Sequence, residues 1–510
     1  MSLTLVIGGT RSGKSAYAER LAEEIAGPVT YVATADSDDA SMAHRIRRHV
    51  ERRPASWTTV HAGDALGSAA EAADCLIDGL GVWIAGVLHR HDGAAGDVVV
   101  GEIERVIEIA RSREVIVVAE EAGQGVLPPD DLSRRWLDLL GAATQRLGRA
   151  AARVDYVVAG RAMTIAGSPA ATVPAGLRRH GDQDGRPGDG DHAVDVLQPG
   201  PPGWLVAALG DGLGEAVRRS PDARGAMVAL SARHGRDPAE IVPTNGAVEA
   251  LWLLGPALRP RLAACVYPGS TETEAGLRAH GVPIARVARN PEDGFRLDPR
   301  AVPAEADLVI VGNPVSPSGT LDPAHALRAL RAPGRTVVVD EALMSMVPDE
   351  PGSLAGERLE DVIVVRSLTE LLSVPGLRVG YVLAPPRLAD ALRAVRPPWA
   401  ANALALATLT AAAEHPAELR LLAERAAADS ADLQARLRPI GGLRTWPSAT
   451  PFSLIEVADG PRVVAALRGA SIAVRPAASF PGLDEGHIRI TARDPERNAA
   501  LARALAEALR

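Results

Sequence analysis

The sequence predicts an α/β protein made of two successive units with mostly parallel sheets, the second ending in a small C-terminal α+β subdomain. Three observations predict it. Short β-rich runs alternate with helical stretches from Leu3 to about Gly160, and a second such series starts at Ala263. A Gly/Pro/Asp-rich stretch lies between the two series. The chain has 510 residues, more than a single core supports.

In chain order, "LTLVIGG", "VTYVAT", "DCLIDGL", "EVIVVAE" and "VDYVVAG" read as the strands of the first unit. From about Ala166 to Gly203 the composition turns to "GDQDGRPGDGD" and "QPGPPG", which is turn and linker chemistry, with the boundary near residue 175. The second series is "AACVYPG", "DLVIVGN", "TVVVDEA", "DVIVVRS" and "LRVGYVLA". After about Pro397 the chain is Ala/Leu/Arg-rich and helical, and a short strand, "FSLIEV", follows. The expected domains are 1–172, a linker and arm over 173–203, a large domain over 204–396 and a small one over 397–510.

Composition narrows the function. A hydrophobic content of 47% fits an ordinary globular protein, and a net charge of −8 gives no support for nucleic-acid binding as the main task. The longest apolar stretch, near Ala403–Ala413, is too short for a membrane span and reads as a buried helix. The stretch "MSLTLVIGG" lacks a basic n-region and a long apolar core, so it is not expected to be a signal peptide, and Cys75 and Cys265 fall in different halves. A reducing cytoplasmic location, with both thiols as packing residues, is expected.

"GGTRSGKS", residues Gly8, Gly9, Thr10, Arg11, Ser12, Gly13, Lys14 and Ser15, matches G-x-x-x-x-G-K-S/T between a strand and a helix. Glycines let backbone N–H groups curl round phosphate oxygens, Lys14 reaches the β/γ phosphates, and Ser15 is placed to ligate Mg²⁺. Asp78 closes the apolar run "DCLID", where a second acid would hold the magnesium shell. Lys14 is the only lysine in the sequence. Mutational pressure towards arginine would spare only a lysine whose ammonium is irreplaceable.

In "MAHRIRRHVERRPASW" (42–57), Arg45, Arg48, His49 and Arg52 share one face of an expected helix that Pro54 ends. A solvated basic face is the bland alternative. A histidine among arginines stays neutral and nucleophilic while the arginines hold a triphosphate.

"GGTRSGKS…YVAT…RIRRHVERRPASW…AGQGVLPPDDLSRRWLDLLG" resembles the bifunctional adenosylcobinamide kinase/adenosylcobinamide-phosphate guanylyltransferase family over about residues 1–165. The resemblance implies a RecA-like fold, a homo-oligomer and two steps. ATP or GTP phosphorylates the hydroxyl of adenosylcobinamide; GTP then guanylylates a histidine, here His49, which passes GMP to the new phosphate. It implies nucleotide contacts at the glycine loop, at Ala33, Thr34 and Ala35, at Val50, Glu51, Arg52 and Arg53, and at Asp78. The sequence departs from the family at His61, where a glutamate is usual, at Glu120-Glu121-Ala122-Gly123, and at Ala142 and Thr144. These departures bear on guanine and ribose contacts and leave the phosphate-holding parts intact.

"TNGAVEAL", "VGNPVSPSGTL", "VVVDEAL", "RSLTELLSVPGLRVGY", "RPPWAANALALA" and "HIRITARD" resemble, in family order, the fold-type I aminotransferase-like proteins, and within them the threonine-phosphate decarboxylase branch. That likeness, over about 180–510, implies a pyridoxal-phosphate site. Gly246 and Ala247 would meet the phosphate, Asn313 the ring hydroxyl and Asp340 the pyridine nitrogen. Ser367 and Arg378 would clamp the phosphate, and Arg489 would take a substrate carboxylate. The position of the Schiff-base lysine, however, holds Glu370. Lys14 is the only lysine and arginine forms no imine, so pyridoxal phosphate is not expected to attach. Ser270 stands where a stacking aromatic is usual, Ser220 where a tyrosine is, and His192 and Asp195 where Phe and Asn are. The expectation is an active kinase/guanylyltransferase joined to a domain without imine chemistry that dimerises the chain or holds a phosphate-bearing intermediate. Two alternatives stay open: the second half binds the cofactor without an imine, or the whole chain is a non-catalytic binding protein.

Overall fold

The computed structural model describes residues 2–25, 27–34, 54, 57–71, 73–123, 125, 128–166, 177, 190–197, 200–216 and 218–510. The chain divides into two compact units, Met1–Ala170 and Ala171–Arg510.

The first unit alternates strand and helix: β1 (Ser2–Gly8), α1 (Lys14–Glu23), β2 (Val29–Ala33), β3 (Thr58–His61), α2 (Leu66–Ala70), β4 (Asp74–Asp78), α3 (Leu80–His91), α4 (Ala95–Ile109), β5 (Glu114–Glu120), α5 (Asp131–Ala150), β6 (Arg153–Val158) and β7 (Arg161–Ala166). Its seven described strands run in the order β3-β2-β4-β5-β1-β6-β7, parallel except for β7. The alternation along β1 explains the layers. Leu3, Leu5 and Ile7 enter the core on one face and Val6 the core on the other. The five strands read from sequence are present, but β3 and β7 were not anticipated. Both are edge strands with largely exposed side chains, so they lack the apolar run that marks a buried strand.

The second unit runs β8 (Gly190–Asp191), α6 (Gly203–Ala216), α7 (Arg224–His234), β9 (Ile241–Asn245), α8 (Ala247–Leu258), β10 (Ala263–Tyr267), α9 (Thr271–Ala279), β11 (Ile284–Ala288), β12 (Leu308–Gly312), α10 (Ala324–Arg328), β13 (Thr336–Glu341), β14 (Val362–Ser367), β15 (Val379–Leu383) and α11 (Pro386–Ala394). It continues with α12 (Ala403–Glu414), α13 (Pro416–Leu437), β16 (Leu443–Thr445), β17 (Phe452–Val457), α14 (Gly460–Gly469), β18 (Ile472–Ala473), β19 (Arg475–Pro476), β20 (His487–Thr491) and α15 (Pro495–Ala508). The large sheet has the order β11-β10-β12-β13-β14-β15-β9, with β15 antiparallel to both neighbours. Val337 and Val339 face one core and Val338 the other. A four-stranded sheet, β16-β17-β20-β19, forms the small subdomain with α14 and α15. α12 covers the stretch read as a buried helix, and no helix among the described residues is long and apolar enough to cross a membrane. Both cysteines are buried and unpaired by disulfide, and burial pushes the Cys75 thiol up to about 12.

Candidate functional site

In the first unit β1 ends at Gly8 and α1 begins at Lys14, so the glycine loop bridges the carboxyl end of a central strand and a helix N-terminus. Gly13 adopts φ 95°, and a Cβ there would lie 3.2 Å from Gly160 Cα. A Cβ on Gly8 would lie 2.5 Å from both Ser12 Oγ and Val157 O. Both positions therefore demand glycine for a loop this tight. Lys14 is buried at 4% exposure, and its Nζ donates a long bond to Gly9 O at 3.4 Å. Ser12 Oγ is buried with no partner among the described residues. A buried ammonium and an orphaned hydroxyl in a ring of amides form a cradle that a phosphate would complete.

Asp78 ends β4 beside that loop. One carboxylate oxygen accepts from Ser15 Oγ at 2.9 Å and the other from Tyr31 OH at 2.8 Å. Thr34 Oγ1 donates to the Asp78 carbonyl at 2.7 Å. In the ladder Asp78, Ala33 and His61 stand in one row at the carboxyl ends of β4, β2 and β3. One serine and one aspartate oxygen suit Mg²⁺, which keeps most of its waters. Glu120, ending β5, accepts from the Gly81 amide at 2.7 Å, and the Glu121 amide donates to Gly8 O at 3.0 Å. The structure thus places Gly8 to Ser15, Ala33, Thr34, His61 and Asp78 at the carboxyl end of one sheet. Ala35, His49, Val50, Glu51, Arg52 and Arg53 lie outside the described residues. Sequence reasoning missed Tyr31: a tyrosine inside "VTYVAT" reads as core, and only its bond to Asp78 gives it a role.

In the second unit a cavity of about 920 Å³ opens at the carboxyl end of β13 and beside the β14–β15 turn. At one end Gly246 (φ 84°) caps α8, and a Cβ on it would lie 2.6 Å from Arg378 Nη2. A Cβ on Gly380 would lie 2.5 Å from Gly246 C and 2.6 Å from Ala247 N. Two glycines therefore bring strand, helix N-terminus and guanidinium together, and the last two each attract an anion.

The other expected residues depart from their expected partners. Ser367 Oγ donates to Glu370 Oε2 at 2.7 Å instead of facing outward alone. Asn313 does not line the cavity; its amide donates to Asp322 O at 3.1 Å and its oxygen accepts from Asp322 N at 2.8 Å, so it ties a loop. Arg489 lines the cavity and donates from its two terminal nitrogens to Asp195 Oδ2 at 2.9 Å and to Ala193 O at 2.7 Å. Asp195 was noted in the sequence only as an odd residue; its separation of 294 in residue number from Arg489 hid the pairing.

Two acids in this cavity hold protons tightly. Burial pushes Glu370 up to about 7, with the Asp195 charge adding to it, and burial pushes Asp340 up to about 6. The folded chain binds these protons more strongly than the unfolded one does. Their contribution to stability is therefore full below the ordinary carboxyl range and is lost as pH rises through 6 to 7. Glu370→Gln, whose amide oxygen still accepts from Ser367, is expected to be more stable than the parent at pH 8, by on the order of 1–2 kcal/mol after allowing for solvent screening. At pH 4 the two should coincide. The C-terminal transition in scanning calorimetry measures both.

Comparison with known proteins bears on both units. Residues 4–165 match the family model for cobinamide kinase/cobinamide phosphate guanyltransferase, and residues 218–505 match that for aminotransferase class I and II. A bifunctional adenosylcobalamin biosynthesis protein of Pseudomonas aeruginosa is 41% identical over 172 residues, covering 32% of this chain and 98% of that protein. A histidinol-phosphate aminotransferase of Mycobacterium tuberculosis is 41% identical over 323 residues, 62% of this chain and 88% of that protein. The crystal structure of L-threonine-O-3-phosphate decarboxylase from Porphyromonas gingivalis superposes with a TM-score of 0.56 at 26% identity, covering 62% of this chain and 98% of that one.

Proposed function

The chain belongs to the cobinamide kinase/cobinamide phosphate guanyltransferase family through residues 4–165 and to the class I and II aminotransferases through residues 218–505, and we propose that it is a nucleotide-loop enzyme of cobalamin synthesis whose second half has lost imine chemistry. The observation that carries the first part is the buried Lys14 over the glycine loop, with Ser15 bonded to Asp78 beside it. The loop amides and Lys14 hold the nucleotide phosphates, and Ser15 and Asp78 hold Mg²⁺. The hydroxyl of adenosylcobinamide takes the γ-phosphoryl group of a nucleoside triphosphate. His49 then attacks the α-phosphorus of GTP; a P–N bond forms, the P–O bond to pyrophosphate breaks and pyrophosphate leaves. The phosphate oxygen of adenosylcobinamide phosphate displaces the imidazole and takes GMP. With α-labelled GTP, acid-labile label is expected on the parent and none on His49→Ala. Equal labelling of the two proteins removes the covalent step.

The second part rests on the cavity. Glu370 stands in place of an amine and engages the Ser367 hydroxyl, and Arg489 donates to Asp195. These residues do not fit pyridoxal phosphate held as a Schiff base, because the sequence offers no lysine but Lys14. A charged Glu370 about 4 Å from a phosphate would add repulsion of roughly 4 kcal/mol per unit charge at intermediate dielectric. We assign this half a binding role.

A further inference from the structure

We infer that Tyr31 is a positioning residue for the magnesium site, holding Asp78 so that the Ser15 hydroxyl turns its lone pairs towards the metal. The inference rests on the reading of Ser15 and Asp78 as the residues that hold Mg²⁺, and it places a third residue behind them.

A hydroxyl has one proton and two lone pairs, whereas an ionised carboxylate only accepts. Ser15 Oγ gives its proton to Asp78 Oδ1 at 2.9 Å, which leaves the lone pairs of that oxygen for a cation. The arrangement lasts only while Asp78 keeps its orientation. A single bond to a single oxygen leaves a carboxylate free to swing about its Cβ–Cγ axis. Tyr31 removes that freedom, because its OH donates to the other oxygen, Oδ2, at 2.8 Å. Both bonds run to a charged acceptor, which makes them the stronger kind.

The backbone of Asp78 is held as well. Thr34 Oγ1 donates to its carbonyl at 2.7 Å, and the next amide, that of Gly79, donates to Val118 O at 3.3 Å. A Cβ on Gly79 would lie 2.9 Å from Thr34 Oγ1, so a glycine after the aspartate lets this contact form.

Tyr31 is itself fixed. It is 4% exposed, in the core that Ala18 and Ala22 of α1 share with Val6 of β1 and Leu76 of β4. Alternation along β2 sends the next residue, Val32, into the opposite core. Phenylalanine would fill the same space as the tyrosine ring. Packing therefore accounts for the ring, and the bond to Asp78 accounts for the hydroxyl.

Isothermal titration of the full chain with GDP, with and without Mg²⁺, tests this in the absence of turnover. Mg²⁺ is expected to tighten GDP binding to the parent. Removing a group that orients a metal's ligand costs roughly 10–100-fold in metal affinity, so Tyr31→Phe should lose at least about ten-fold of the Mg²⁺-dependent gain. GDP without metal should bind Tyr31→Phe as it binds the parent, which certifies the fold of the glycine loop in the same experiment. A tyrosine that only fills the core would give no change, and a loosened fold would weaken GDP equally with and without the metal; either result overturns the inference. Asp78→Asn tests the reading beneath it, since the amide keeps the shape of the side chain without its charge and should abolish the gain. If the parent binds no GDP, if Mg²⁺ tightens nothing, or if Asp78→Asn keeps the full gain, the assignment of Mg²⁺ to Ser15 and Asp78 falls. If Asp78→Asn loses the gain and Tyr31→Phe keeps it, the inference alone falls.

Discussion

Lys14→Ala is expected to lower phosphorylation of adenosylcobinamide by about three orders of magnitude, the scale seen when a preorganised charge on a transferring phosphoryl group is removed. The ammonium is 4% exposed above a loop that Gly8 and Gly13 keep tight, and the sequence holds no second lysine to replace it. Lys14→Arg should fail almost as badly, since a planar fork needs more room than a point charge on a flexible stem. The fold should survive both changes, because the side chain's bond to Gly9 O is long. Turnover with a nucleoside triphosphate, and the N-terminal transition in calorimetry as a folding control, decide the matter. A Lys14→Ala chain that keeps more than roughly a tenth of parental turnover would remove the glycine loop from the reaction.

Glu370→Lys is expected to attach pyridoxal phosphate stoichiometrically, and the parent chain is expected to attach none. A lysine there would lie among buried surroundings and near Arg378, both of which lower an ammonium's pKa and leave a neutral, nucleophilic amine, while Asp195 opposes them. Ser367 would be released from its bond to the carboxylate and could face the phosphate. Borohydride reduction followed by intact-mass measurement should show one cofactor increment on Glu370→Lys and none on the parent. An increment on the parent sinks the reading of the second half. Attachment by Glu370→Lys need not restore turnover, because Asp195 still accepts from Arg489.

Much of this was legible in the chain. The interior strands announce themselves because buried parallel strands are continuous apolar runs, as in "LVIVG" of β12 and "TVVVDE" of β13. β9 was not anticipated because "IVPTN" carries Pro243; the strand tolerates it at the edge of the sheet, where one side needs no ladder bond. β11, "IARVA", also lies at an edge and is only partly buried, so it lacks the same signal. The glycine loop was readable because its chemistry is local, compressed into eight residues. The Asp195–Arg489 pair, the Ser367–Glu370 bond and the retreat of Asn313 to Asp322 were not, since each depends on rotamers and on elements brought together only by the tertiary fold. The carboxylate in place of an amine was visible in one letter; its consequence for its neighbours was not.

The burial of Lys14 reaches beyond the reaction. Apart from the α-amino group, it is the only primary amine the polypeptide owns, and it is shielded. Acylating reagents used for biotin tags, dyes or surface coupling would therefore find no exposed lysine on the folded chain. A tag on Lys14 would report directly that the glycine loop beneath it had opened.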